Sequence, residues 1–70
     1  MNLLIETDQE TDGRWIADVS EIPGAMAYGQ TKHEAVARAE ALALRVIAER
    51  LENGEDIPAV TAMLFSVDLA

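Results

Sequence analysis

Apolar residues recur with helical spacing over one long stretch, residues 31–54 (TKHEAVARAEALALRVIAERLENG), and with strand spacing elsewhere. At 3.6 residues per turn, Val36, Ala39, Ala43, Val46 and Ile47 share one face, flanked by Ala35 and Leu42. That stripe suits packing on a sheet. A second apolar row, Ala37, Ala41, Leu44, Ala48 and Leu51, points well away from the first. The polar wedge between them is narrow: Glu34, Arg38, Arg45, Glu49 and Glu52. Thr31 with Glu34 three residues later is the capping-box pattern, which satisfies orphan backbone donors at a helix start. Asn53-Gly54 closes the stretch, where Gly takes the left-handed cap. Between these ends there is no Gly or Pro, and strong helix formers dominate.

The flanking patterns read as strands. Residues 3–7 (LLIET) form a first short strand, and the polar run 8–13 (DQETDG) ends in the hairpin signal Asp-Gly. In residues 14–19 (RWIADV), Trp15, Ala17 and Val19 alternate with Arg14, Ile16 and Asp18, so the first set is expected to face the helix. Trp15 is read there as a core anchor rather than a stacking platform. Ser20-Glu21-Ile22-Pro23-Gly24 breaks the strand, with Pro23 and Gly24 in the order a type II turn requires. Residues 25–28 (AMAY) form a third strand, and Gly29-Gln30 leads into the cap. After the helix, Ile57-Pro58 enforces extended backbone, and residues 61–69 (TAMLFSVDL) read as the last strand. The order β-β-β-α-β predicts an α+β two-layer domain. Its mixed four-stranded sheet has strand order 3-2-1-4, reached by a right-handed crossover, with one helix packed on it.

Seventy residues make a single domain over 1–70, and a chain this short buries only about 60% of its unfolded surface. With no cysteine, neither disulfides nor a thiolate metal site add stability. Association is the remaining common route, and the second helix row, with its large Leu44 and Leu51, is the expected contact. The chain is therefore predicted to form at least a homodimer. Its net charge of −8 opposes direct nucleic-acid binding and favours basic partners. There is no basic-then-apolar leader and no apolar run of membrane-spanning length, so a cytoplasmic location with no membrane contact is expected.

Several short pieces then fall in a recognisable order. Asp12-Gly13-Arg14-Trp15-Ile16-Ala17, Glu21-Ile22-Pro23-Gly24, Tyr28-Gly29-Gln30-Thr31 and Glu34-Ala35 together resemble the running signature of the HicB-like antitoxin domain. The resemblance covers nearly the whole chain. It marks Gly13, Pro23, Gly24, Gly29, Thr31 and Glu34 as family-motif turn and cap residues. It implies a partial RNase H-like β-β-β-α-β fold and the antitoxin role of a type II toxin–antitoxin system. In that family the domain binds and blocks a small basic RNase toxin of double-stranded-RNA-binding-domain fold. Fuller members carry a C-terminal DNA-binding domain. This sequence stops at Ala70, directly after the expected last strand, and so looks like a short stand-alone member.

An RNase H-like fold invites a search for metal-binding carboxylates. Glu6, Glu40 and Asp68 are the candidates, but two-metal hydrolysis needs several carboxylates converging on ions about 4 Å apart. A core-facing Glu40 reads alternatively as a snorkelling rim residue, and Glu6 and Asp68 as residues of solvated strand faces. No Ser-His-Asp or Cys-His set is present, and Gly13, Gly24 and Gly29 read as separated turn glycines rather than a phosphate loop. His33, alone in the first helical turn, builds no zinc site. Arg50, one turn past Val46, either covers the core edge with its stem or pairs across a dimer interface. The expectation is a non-catalytic binding protein without metal or cofactor. The alternatives are a homo-oligomer of regulatory or structural role with no toxin and, further off, a divalent-metal nuclease.

Overall fold

The polar run after the first strand reverses the chain through Gly13, whose φ of 93° is open to glycine and strained for other residues. In the computed structural model, which describes residues 3–55 together with Ser66 and Asp68, this turn joins β1 (Ile5–Gln9) to β2 (Trp15–Val19). The two strands are antiparallel, in register from Ile5 opposite Val19 to Gln9 opposite Trp15. Gly13 N donates to the Glu10 carbonyl at 2.9 Å, and Glu10 N donates to the Arg14 carbonyl at 2.7 Å. Thr11 and Asp12 have negative φ, so this is a type I turn followed by a left-handed glycine, a three-residue hairpin loop. Asp12 locks it by accepting from Arg14 N at 3.1 Å and from Arg14 Nε at 2.8 Å. The backbone bond first, and the guanidinium with it, hold the Asp12 carboxyl below its ordinary range.

The second reversal joins β2 to β3 (Met26–Gly29), which pairs antiparallel from Trp15 opposite Gly29 to Asp18 opposite Met26. Ala25 N donates to the Ile22 carbonyl at 3.0 Å across Pro23 and Gly24, and Gly24 has φ of 90°. That is the type II geometry its Pro-Gly order predicts. Glu21 Oε2 accepts from Leu4 N at 3.1 Å, which ties the chain before β1 to this turn. The three strands form one sheet in the order β1-β2-β3.

The helix α1 (Lys32–Glu52) is capped at both ends. Thr31 Oγ1 accepts from Glu34 N at 3.1 Å. The Glu34 carboxylate accepts from Gln30 N at 3.3 Å, one residue before the backbone donor a capping box would use. The reason lies in its other partner: Arg38 Nη2 sits 3.1 Å from Glu34 Oε1, while Arg38 Nη1 donates to the Tyr28 carbonyl at 3.0 Å. One guanidinium therefore binds the helix start to the end of β3. At the exit, Gly54 (φ 79°) donates to the Leu51 carbonyl at 3.1 Å, and Glu55 N donates to the Arg50 carbonyl at 2.8 Å. These two bonds are the Schellman motif.

The core lies on one side of the sheet. Among the described residues it consists of Ala17, Val19, Ile22, Ala25, Ala35, Ala39, Ala43 and Ile47. Its centre on the helix is the four-residue row from Ala35 to Ile47, with Val36, Leu42, Val46 and Arg50 only half-buried beside it. Ala35, expected as a flank, is central because alanines let the helix approach the sheet closely. At Gly29 the approach is closest: a Cβ there would stand 2.5 Å from Ala35 N.

The structure corrects several expectations. The strands run 5–9, 15–19 and 26–29 instead of 3–7, 14–19 and 25–28, because a three-residue loop lets β1 pair up to Gln9. Gly29 is no turn glycine; it ends β3, buried under the helix start. Trp15 packs against the core, as expected, but at its half-buried edge, with Lys32 Nζ 5.9 Å from its ring centre. The expected strand at 61–69, and with it the order 3-2-1-4, lies outside the described residues. What is described is an α+β unit of a three-stranded antiparallel sheet and one helix.

Candidate interaction surfaces

With the core on one side of the sheet, the described residues present three surfaces to consider. The first is the outer row of α1. Ala37, Ala41, Leu44, Ala48 and Leu51 are all exposed, and Leu44 (60%) and Leu51 (41%) are among the most exposed large apolar side chains. Their 4-3-4-3 spacing keeps them in one line along the helix. This agrees with the two-faced pattern of the sequence.

The second surface is a cleft of about 180 Å³ between β1 and α1, lined by Leu3, Ile5, Val19, Glu40, Ala43, Leu44 and Ile47. It exists because α1 packs over β2 and β3 and touches β1 little. The cleft is almost wholly apolar, with Glu40 at its rim. Glu40 is exposed there, which fits the snorkelling rim position weighed for it rather than a core-facing one.

The third is the outer face of the sheet, which the sequence reading did not single out. Glu6, Asp8, Asp18, Met26 and Tyr28 are exposed on it and Ile16 is half-buried. Strict alternation in β2 was the available signal, since it leaves Ile16 on the side away from the helix.

The acidic candidates do not converge. Glu6 projects from the outer face of the sheet and Glu40 stands on the helix side; Asp68 is exposed. Among the described residues no group of three or more His, Cys, Asp or Glu is placed to hold a metal ion. His33 is exposed in the first turn of α1, and Arg50 is half-buried at the edge of the core. The motif residues are spread along the chain as folding pivots: Gly13, Pro23 and Gly24 in the two reversals, Gly29 under the helix, Thr31 and Glu34 at its cap. No helix among the described residues is long and apolar enough to cross a membrane.

Comparison of the chain with protein-family models, with curated proteins and with solved structures gives no match in any of the three.

The helix row makes a direct prediction. If it is the contact between copies, light scattering gives at least a dimer mass at roughly tens of micromolar protein, and Leu44→Glu shifts the mass towards monomer. The melting temperature then rises with protein concentration in the parent and no longer does so in the variant, because unfolding is coupled to dissociation. A parent that is monomeric throughout excludes the row as a self-contact.

Proposed function

We propose that this protein is a non-catalytic binding protein, a short stand-alone HicB-like antitoxin that binds and neutralises a small basic RNase toxin in the cytoplasm. The observation that carries this reading is the ordered run of motif residues, from Asp12-Gly13 to Glu34-Ala35, in a chain of net charge −8. It is supported by where those residues stand, since each motif piece contributes a turn, a close approach or a cap that builds the fold. The proposal includes the partial RNase H-like fold. Residues 61–69 would then add a fourth strand beside β1, on the side where the apolar cleft is open.

Opposite charge speeds encounter with a basic toxin, and rising salt slows it. Affinity comes from desolvated apolar surface, which this protein offers on the outer sheet face, in the cleft and along the helix row. The test is co-expression with the neighbouring reading frame and capture of what binds. A stoichiometric basic protein whose RNase activity is silenced by this chain supports the proposal. Recovery of nucleic acid alone, with affinity falling steeply with salt, overturns it.

A second reading, a homo-oligomer of structural or regulatory role without a toxin, is favoured by one observation: the exposed Leu44 and Leu51 in a continuous row. It is separated from the first by a stable assembly that captures no basic partner.

A further inference from the structure

The outer face of the sheet has two unlike halves. Pairing across β1, β2 and β3 sets Glu6 opposite Asp18 and Asp18 opposite Met26; it also sets Asp8 opposite Ile16 and Ile16 opposite Tyr28. Carboxylates therefore gather over β1 and the adjoining part of β2, and apolar side chains over β3 and the rest of β2. Met26 is 48% exposed and Tyr28 40%. Like charges directly opposite across a strand pair destabilise it. Yet neither Glu6 nor Asp18 has a hydrogen bond or ion pair among the described residues, and Asp8 accepts only from Gln9 N, at 2.9 Å. Among the described residues the one cation on this face, Arg14, is already engaged. Its Nε holds Asp12 at 2.8 Å, and its guanidinium lies 4.8 Å from the centre of the Tyr28 ring.

A sheet that retains a repulsive pair beside an uncovered apolar patch has a local conflict that folding does not resolve, and such conflicts concentrate at functional sites. Both halves are satisfied together by one kind of ligand. An amphipathic helix with a cationic flank places Lys or Arg over the carboxylates and its apolar stripe over Met26 and Tyr28. We infer that the outer sheet face docks a cationic amphipathic helix of a protein partner. A second copy is a poor occupant, because stacking this face on itself brings three carboxylates against three. Nucleic acid is repelled by the same charges. This inference rests on the proposed reading that the protein acts by binding a basic partner, and it names the face and the partner's element.

The test uses a synthetic Lys/Leu peptide with Leu at helical spacing and a scrambled peptide of the same composition, each titrated into the isotopically labelled full chain. The expected result is that the amphipathic peptide binds at least about tenfold more tightly than the scrambled one, and that resonance shifts centre on Glu6, Asp18, Met26 and Tyr28. Glu6→Lys is informative because it removes the repulsive pair: its melting temperature should hold or rise while peptide affinity falls about tenfold, a combination that loss of folding cannot produce. Glu49→Lys, the same charge change on the exposed polar wedge of α1, should leave peptide affinity unchanged. Equal binding of the scrambled peptide, shifts centred on the helix row, or undiminished affinity in Glu6→Lys would each overturn the assignment. So would calcium or magnesium shifting the Glu6 and Asp18 resonances at micromolar concentration, which would give the carboxylates to an ion. A captured toxin that binds Glu6→Lys and Met26→Glu proteins as well as the parent refutes this face and leaves the antitoxin reading intact. Peptide binding mapped to the face with no toxin captured does the reverse.

Discussion

Gly29→Ala should unfold this protein more readily than any surface change, lowering its melting temperature by about 10–20 °C. The position has ordinary negative φ, so backbone strain is not the cause. The cause is space. An added Cβ would meet Ala35 N at 2.5 Å and Ala35 Cα and the Glu34 carbonyl carbon at 3.0 Å, all of them backbone. No flexible side chain is there to give way, so the helix start must lift from β3. That movement strains the Arg38 bond to the Tyr28 carbonyl and the Glu34 bond to Gln30 N. Overpacking of this kind costs about 2–3 kcal/mol, and for a domain of this size each kcal/mol moves the midpoint by about 4–8 °C. Gly24→Ala is the matched control. It has φ of 90° and open space, so it should lose only about 1 kcal/mol from backbone strain. If thermal melts rank Gly24→Ala as the more damaging, the close approach of β3 to α1 is wrong.

Ile22→Ala should cost about 3 kcal/mol, and Ile22→Val about 1 kcal/mol. Ile22 is 1% exposed and, with Val19, is one of the largest fully buried side chains among the described residues. Most of the other buried core residues among those described are alanines, which have no rotamers with which to fill a hole. The cavity left by truncation therefore stays open, and both the transfer and the cavity contributions are lost. Met26→Ala, at an exposed position of the neighbouring strand, should cost little. The measurement is urea denaturation of the three variants, with an unchanged slope required for the comparison. A cost below about 1 kcal/mol for Ile22→Ala would show that the turn does not plug the core. Partner binding at the outer face should survive Ile22→Ala under conditions where the variant is folded, because the residue lies on the helix side.

These two residues mark where sequence reading stops. Ile22 and Gly29 both stand next to strong turn or cap signals, and each looks like part of a connection. Turn chemistry is local, so Pro23-Gly24 predicts the reversal but says nothing about where the preceding side chain goes. Ile22 belongs to the core cluster, in a turn closed by Val19 N to the Ala25 carbonyl at 2.9 Å and Ile22 N to the Val19 carbonyl at 3.0 Å. Gly29 is required by a helix that returns across the end of its own preceding strand. Neither fact has a periodicity.

The candidate surfaces divide in the same way. The helix row was legible, because Ala37, Ala41, Leu44, Ala48 and Leu51 lie on one element and a 3.6-residue period alone separates them from the buried stripe. The outer sheet face was not. Its character comes from Glu6, Asp18 and Met26 meeting on neighbouring strands, and strand register depends on the length of each loop. Glu40 was open for a related reason: helical phase puts it near the apolar stripe, which allows a core-facing or a rim position, and the offset of α1 from β1 decides for the rim.

By itself, then, the sequence determined what depends on neighbours a few residues away: the hairpin through Gly13, the type II turn at Gly24, the Thr31 cap, the Gly54 exit and the two faces of α1. The tertiary structure alone decided what depends on distant residues meeting. It centred the helix on Ala35, Ala39, Ala43 and Ile47 over β2 and β3, and left the cleft beside β1. It also set the Glu6–Asp18 pair on an uncovered face. The physical reason is range: capping and turn hydrogen bonds close within one or two turns of chain, while packing and register are fixed by contacts that loops bring together from far apart.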